Sequence, residues 1–222
     1  MKSGSNPVGI FGGTFDPIHF GHLRLAQEVA EHCGLESVYI VPAGKPPHRN
    51  EPHCDPAMRM EMVRIASKGN LLFLPDDRET AKETPCYSVE TLLQLRRELG
   101  SEKPFCLMVG ADAFLGLASW HNWRDLFDLA HILVAQRPGF DIGSKMTEPL
   151  GMEYRARISN DAEALRHSPS GRIVVVDVTL LDISSSMIRE CLSRGRSARY
   201  LLPDDVLDYI GIHGLYREQN EI

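Results

Sequence analysis

The sequence predicts an α/β fold: a doubly wound, Rossmann-like, mostly parallel sheet with helices on both faces. Three observations predict it. Short apolar runs alternate with amphipathic helical patterns along most of the chain, the rhythm of βαβ units. Glycine-rich and charged segments fall just after those runs, where the C-terminal ends of parallel strands share one edge. And 222 residues, 43% of them hydrophobic, can bury a sizeable core without a disulfide or a metal.

The elements follow in order. Residues 8–11 are a short apolar run ending in Gly12-Gly13, a first strand. A helix begins near Gly21, with Leu23, Ala26, Val29, Ala30 and Cys33 on one face and Gly34 suited to its stop. Residues 38–41 are a second strand, closed by Pro42-Ala43-Gly44. Asp55-Pro56 reads as cap and first residue of a helix striped by Met58, Met62, Ile65 and Ala66. Residues 71–74 are the third strand. Ser88 is placed as the cap of a helix carrying Leu92, Leu95 and Leu99. Strands are predicted at 105–109, 132–135 and 173–178, and helices at 123–130, 185–194 and 203–210, with Gly195 and Gly211 at helix stops. The polar stretch 140–171 is the least regular, with one helix predicted over 153–166. One domain is expected over residues 1–222, with a flexible tail at 1–7 and a variable insertion at 140–171.

The net charge of −6 speaks against a broad nucleic-acid-binding face, so any anion must be met by a few placed groups. Five scattered cysteines with no CxxC pair do not read as a disulfide framework or a zinc ribbon, and four lie in core-like patterning. No apolar run approaches the ~18 residues of a membrane span, and residues 1–7 lack the apolar core of a signal peptide. A reducing cytoplasm is the expected setting.

The densest chemical signal is Gly12-Gly13-Thr14-Phe15-Asp16-Pro17-Ile18-His19-Phe20-Gly21-His22. Two glycines after a strand let the backbone approach a ligand, and the following helix N-terminus favours phosphate. His19 and His22, three apart, can meet at that helix start and donate to phosphate oxygens as charge builds in a transition state. A second signal is Lys45-Pro46-Pro47-His48-Arg49, three potential cations on a stiff loop that could clamp a phosphate chain. A third is Ile183-Ser184-Ser185-Ser186-Met187-Ile188-Arg189, hydroxyls and N–H groups at a helix start with an arginine one turn on. Taken singly, the last two read as a solvated basic turn and a plain capped helix. GxGxxG and GxxxxGK[ST] are both absent, which removes the usual support for dinucleotide redox chemistry and for a P-loop.

The first and third motifs together resemble the nucleotidyltransferases with a His-x-Gly-His signature and a C-terminal Ser-Ser-x-x-Ile-Arg element. Within them the sequence is similar to the bacterial nicotinate-nucleotide adenylyltransferases, over residues 8–217. Lys-Pro-Pro-His-Arg, Pro-Cys-Tyr-Ser-Val-Glu-Thr-Leu, Gly-Ala-Asp, Ser-Trp, Gln-Arg-Pro-Gly and Gly-Leu-Tyr-Arg fall in that family's order. The resemblance implies adenylyl transfer from ATP, with Mg²⁺ on its phosphates, to nicotinate mononucleotide, giving nicotinate adenine dinucleotide and pyrophosphate in NAD biosynthesis. It implies in-line attack by the mononucleotide phosphate, with no covalent enzyme intermediate and no side-chain base.

Residue by residue, the resemblance places His19, His22, Lys45 and Arg189 in catalysis. Gly12, Gly13, Thr14, His48, Ile183, Ser185 and Ser186 join them around ATP, and Gly110 and Asp112 meet ribose hydroxyls. It places Tyr87 and Ser88 at the nicotinate carboxylate, Trp120 on the pyridine ring, and Arg137, Gly13, Thr14 and Lys45 also on the mononucleotide. No nucleic acid or membrane partner is implied, and a homo-oligomer is compatible. His32, His53, His131, His167 and His213 receive no role. His48, His53 and Cys54 fit no familiar zinc spacing. Transfer to nicotinamide mononucleotide or phosphopantetheine, and a nucleotide sensor without turnover, are the competing readings.

Overall fold

A computed structural model describes residues 5–45, 51–179 and 181–217. Six strands form one sheet: β1 (Val8–Gly13), β2 (Ser37–Pro42), β3 (Phe73–Pro75), β4 (Phe105–Gly110), β5 (His131–Gln136) and β6 (Ile173–Asp177). Their order is β3-β2-β1-β4-β5-β6, and every pairing is parallel. The mostly parallel expectation therefore becomes all-parallel among the described strands.

The strands alternate between two cores with the two-residue period of the pleat. Phe105, Leu107 and Val109 enter one apolar cluster, while Cys106 and Met108 enter the other. Ile132 and Val134 likewise oppose Leu133 and Ala135. Helices α1 (Phe20–Cys33), α2 (Pro56–Ser67), α7 (Ser185–Ser193) and α8 (Asp204–Ile212) cover the first face. Helix α3 (Ser88–Leu99) and the short α4 (Ala111–Leu115), α5 (Leu126–Leu129) and α6 (Leu150–Arg157) cover the second. Strand order reverses between β1 and β4, so a crevice opens beyond Gly13 and Gly110, where doubly wound sheets bind ligands.

Five local expectations are corrected. The third strand begins at Phe73, because Asn70 closes a turn with its N–H on Ser67 O and its side chain on Leu72 N, leaving Leu71 in solvent. The helix predicted at 153–166 is two pieces. Helix α6 stops at Ile158, which bridges Ile173 beside the sheet, and Asp161 caps a separate 3₁₀ turn, Ala162–Arg166. Tyr87, not Ser88, occupies the cap position of α3. Gly211 lies inside α8, and the left-handed residue beyond the helix is Gly214. The segment predicted as a helix at 123–130 is a 3₁₀ turn, Trp123–Asp125, leading into α5.

Candidate active site

The loop leaving β1 is built tightly. Phe15 takes a left-handed backbone (φ 48), a strained choice for an aromatic residue. Its ring packs edge-on against Phe11 and His22. Gly13 makes this possible, since a Cβ there would stand 2.8 Å from the Phe15 ring. The Asp16–Pro17 bond is cis, and His19 then opens α1 with an extended backbone.

His19 and His22 meet as the three-residue spacing predicts. Their rings stack with centroids 3.7 Å apart and 24° between planes. Gly21 leaves them room, because a Cβ there would approach the His19 ring to 3.0 Å and Ile183 O to 3.3 Å. Both Nδ1 atoms are buried and find no hydrogen-bond partner among the described residues. Burial pulls the His19 pKa down from 6.5 to about 4. Burial, and then the neighbouring His19, push His22 well below its ordinary value. Two neutral imidazoles result, with polar atoms that a ligand can satisfy.

Arg59 ties this loop to its surroundings, and nothing in the sequence reading singled it out. Its side chain is fully buried and donates to Cys54 O at 3.0 Å, Thr14 O at 2.7 Å and Gly44 O at 3.0 Å. One guanidinium thus joins the ends of β1 and β2 to the approach to α2.

Three hollows meet along this edge. The first, about 250 Å³, is lined by Gly12, Gly13, Thr14, Tyr87, Ser88 and Trp120, with Glu79, Cys86 and His121. The Tyr87 and His121 rings lie 4.4 Å apart. Thr91 Oγ1 donates to Glu79 Oε1 at 2.6 Å, and burial raises the Glu79 pKa. The second hollow, about 480 Å³, shares Gly12, Gly13 and Thr14 and adds Asp16, His22, His53, Ser185, Ser186 and Arg189. The third, about 620 Å³, holds Asp112, Arg137 and Phe140. Gly110 borders all three.

Most of the predicted site residues therefore come together at the crevice. Helix α7 is docked on the β1 loop: Ser185 Oγ donates to Pro17 O at 2.9 Å, and Arg189 Nη1 donates to Asp16 O at 2.7 Å. Ser184 caps the helix by accepting from Met187 N, and Ile183 O lies against Gly21. Arg137 stands apart from Tyr87 and Trp120 and shares the third hollow with Asp112 instead. Lys45 is exposed at the end of β2, bridged to Pro85, and borders none of the three hollows. His48 lies outside the described residues. His53, given no role by the sequence, lies on the second hollow's wall, where its N–H donates to Asp16 Oδ2 at 2.8 Å. Tyr216 and Asp16 are joined by a hydrogen bond that no local pattern announced. Among the described residues no group of acidic, histidine or cysteine side chains could hold a metal, and no helix is long and apolar enough to cross a membrane.

A doubly wound sheet whose strand-end glycines, stacked imidazoles and serine-arginine helix converge on one crevice defines a nucleotidyltransferase, and the chain belongs to the cytidylyltransferase-like family, whose model matches residues 10–191. Among its relatives is a protein of Dechloromonas aromatica named "Probable nicotinate-nucleotide adenylyltransferase", 52% identical over 96% of this chain and 99% of that one. A protein of Methylococcus capsulatus with the same name is 47% identical over 94% and 99%. Within the family, the chain thus falls with the nicotinate-nucleotide adenylyltransferases. In fold it is similar to the Plasmodium falciparum nicotinic acid mononucleotide adenylyltransferase complexed with NaAD. That likeness has a TM-score of 0.67 and 20% identity, covering 95% of this chain and 97% of the other.

Proposed function

We propose that this chain transfers the adenylyl group of ATP to nicotinate mononucleotide, giving nicotinate adenine dinucleotide and pyrophosphate, in NAD biosynthesis in the cytoplasm. The whole chain is read as one nucleotidyltransferase domain carrying this site. The observation that carries the reading is the pair of hollows sharing Gly12, Gly13 and Thr14, one lined by aromatic rings and one by histidine, serine and arginine. The aromatic hollow suits a pyridine nucleotide, and the other suits a triphosphate. Their shared backbone edge is where the two reacting phosphates would meet.

In the reaction, an oxygen of the mononucleotide phosphate forms a bond to the α-phosphorus of ATP, and the α–β bridging bond breaks. The electron pair leaves with pyrophosphate. The nucleophile is already ionised, so positioning and charge stabilisation do the work. Neutral His19 and His22 each supply one N–H to the phosphates, and Arg189, Ser185 and Ser186 hold the triphosphate beyond them. Lys45, just beyond β2, would reach the phosphates, the role that the family resemblance also gives His48. Asp112 accepts ribose hydroxyls and, given its position, Arg137 serves the same hollow as Asp112. Tyr87 and Ser88 place the α3 N-terminus at the nicotinate carboxylate, and Trp120 stacks on the ring. Among the described residues no cluster of acidic, histidine or cysteine side chains could hold a metal, so Mg²⁺ would fit as an ion carried by the ATP phosphates, where it would neutralise charge on the leaving group.

Nicotinamide mononucleotide is a second reading, favoured by Glu79: a carboxyl on the pyridine hollow's wall would repel the nicotinate carboxylate when ionised. Burial raises the Glu79 pKa and weakens that objection. Pyrophosphate release with ATP and Mg²⁺, run in parallel on the two mononucleotides, tests the choice. Preference for the acid is expected; equal or reversed preference would overturn the substrate assignment.

A further inference from the structure

Asp16 is a buried carboxylate, 3% exposed, inside the most chemically loaded loop of the molecule. Its oxygens are shared out among distant parts of the chain. Oδ1 accepts from the Tyr216 hydroxyl at 2.7 Å, across 200 residues of sequence. Oδ2 accepts from His53 N at 2.8 Å, with the His53 ring Nδ1 at 3.4 Å. Arg189 makes only a long ion pair with the carboxylate, Nη1 to Oδ2 at 3.9 Å, and gives its hydrogen bond to the Asp16 backbone oxygen instead, at 2.7 Å. The other terminal nitrogen, Nη2, reaches Ser186 Oγ at 3.3 Å.

A guanidinium beside an under-bonded buried carboxylate would turn to it, because a bidentate arginine–carboxylate pair is strong and a bare buried acceptor is costly. In this structure the tyrosine and the His53 N–H already occupy the carboxylate. Arg189 is held at the edge of the triphosphate hollow by a backbone oxygen, a serine hydroxyl and a long ion pair to Asp16, weaker partners than the close bidentate pair and ones that a phosphate can displace. We propose that Tyr216 is a positioning residue for this active site: by occupying Asp16 it keeps Arg189 available to the triphosphate of ATP. Burial and the adjacent Asp16 carboxylate both raise the tyrosine pKa, so the hydroxyl remains a donor throughout the working pH range.

The proposal rests on the adenylyl-transfer reading, and the full chain tests both. Tyr216→Phe removes one hydroxyl and keeps the ring. It is expected to raise KM for ATP about tenfold or more, with KM for nicotinate mononucleotide and cooperative thermal unfolding little changed. Adding Asp16→Asn, which removes the charge that would capture Arg189, is expected to restore most of the ATP affinity. A Tyr216→Phe enzyme with the wild-type KM for ATP would overturn the proposal. So would a parallel rise in both KM values, or loss of cooperative unfolding, since either makes the bond a general support. Calorimetric binding of ATP separates the two readings. Wild-type protein that binds ATP but releases no pyrophosphate fails the reaction alone, and a weaker ATP affinity in Tyr216→Phe then still supports the positioning role. Absence of ATP binding in the wild type overturns both.

Discussion

The two histidines of the first motif differ from surface histidines in one respect that can be measured. They are stacked, and their Nδ1 atoms are buried and short of partners, so protonation is opposed in the native state. The sign follows directly. Between pH 6.5 and about 4 the unfolded chain takes up protons that native His19 refuses. Stability should therefore fall as pH drops through that window, by roughly 3 kcal/mol from His19 alone, with His22 adding in the same direction. Urea unfolding at a series of pH values measures it, and His19→Gln should flatten the dependence. His22→Ala should lower kcat by about 100- to 1000-fold, the range for removing one donor to a developing anion, while the circular dichroism spectrum is retained. Trp120→Ala should raise KM for the mononucleotide about tenfold, the usual worth of one stacked ring, and leave KM for ATP near its wild-type value.

At the scale of elements, Arg59 sets how three chain segments meet. Replacing it with leucine removes the donor to three carbonyl oxygens, two of them in buried bonds, and a loss of about 3 kcal/mol or more is expected in denaturant unfolding. Arg59→Lys should recover little, because one ammonium cannot reproduce the guanidinium's divergent bonds to Cys54, Thr14 and Gly44. The contrast between Arg59 and the β1 loop shows what the sequence could express. Gly13, Gly21, His19 and His22 are neighbours along the chain, so their contact is written in a spacing. The strands other than β3 announced themselves because each side of the pleat faces a core, which leaves a largely unbroken apolar run. Arg59 sits in a helical stripe among methionines, and its three acceptors are backbone atoms that carry no residue identity. Asp16 and Tyr216 meet only after the whole sheet has formed. The break at Ile158 is equally non-local, since it exists to bridge Ile173. Arg137 follows a strand end as expected, but which hollow it faces depends on β5 lying beside β4 rather than on any motif. Asn70 hid the true start of β3, because its side chain holds the next residues in a turn that hydropathy reads as strand.

At the scale of the molecule, the crevice lies where β1 and β4 adjoin and the chain winds away in both directions. A ligand filling two hollows at once would tie the loop beyond β1 to α3 on one face and to α7 on the other. Nicotinate adenine dinucleotide should thus raise the melting temperature more than either half alone. At 100 times its dissociation constant a ligand adds about 2.7 kcal/mol, or about 5 °C or more for a chain of this size. Thermal scans with the product and with each mononucleotide test the ordering. The cysteines supply an independent clock for the same events. Cys33, Cys54, Cys86 and Cys106 are buried and free, and Cys191 is only partly covered. A thiol-reactive dye in native buffer should label Cys191 first and the other four at the rates their segments open. Cys86, on the wall of the pyridine hollow, should then slow selectively when that hollow is filled, so dye uptake at a single sulfur would report occupancy without any turnover.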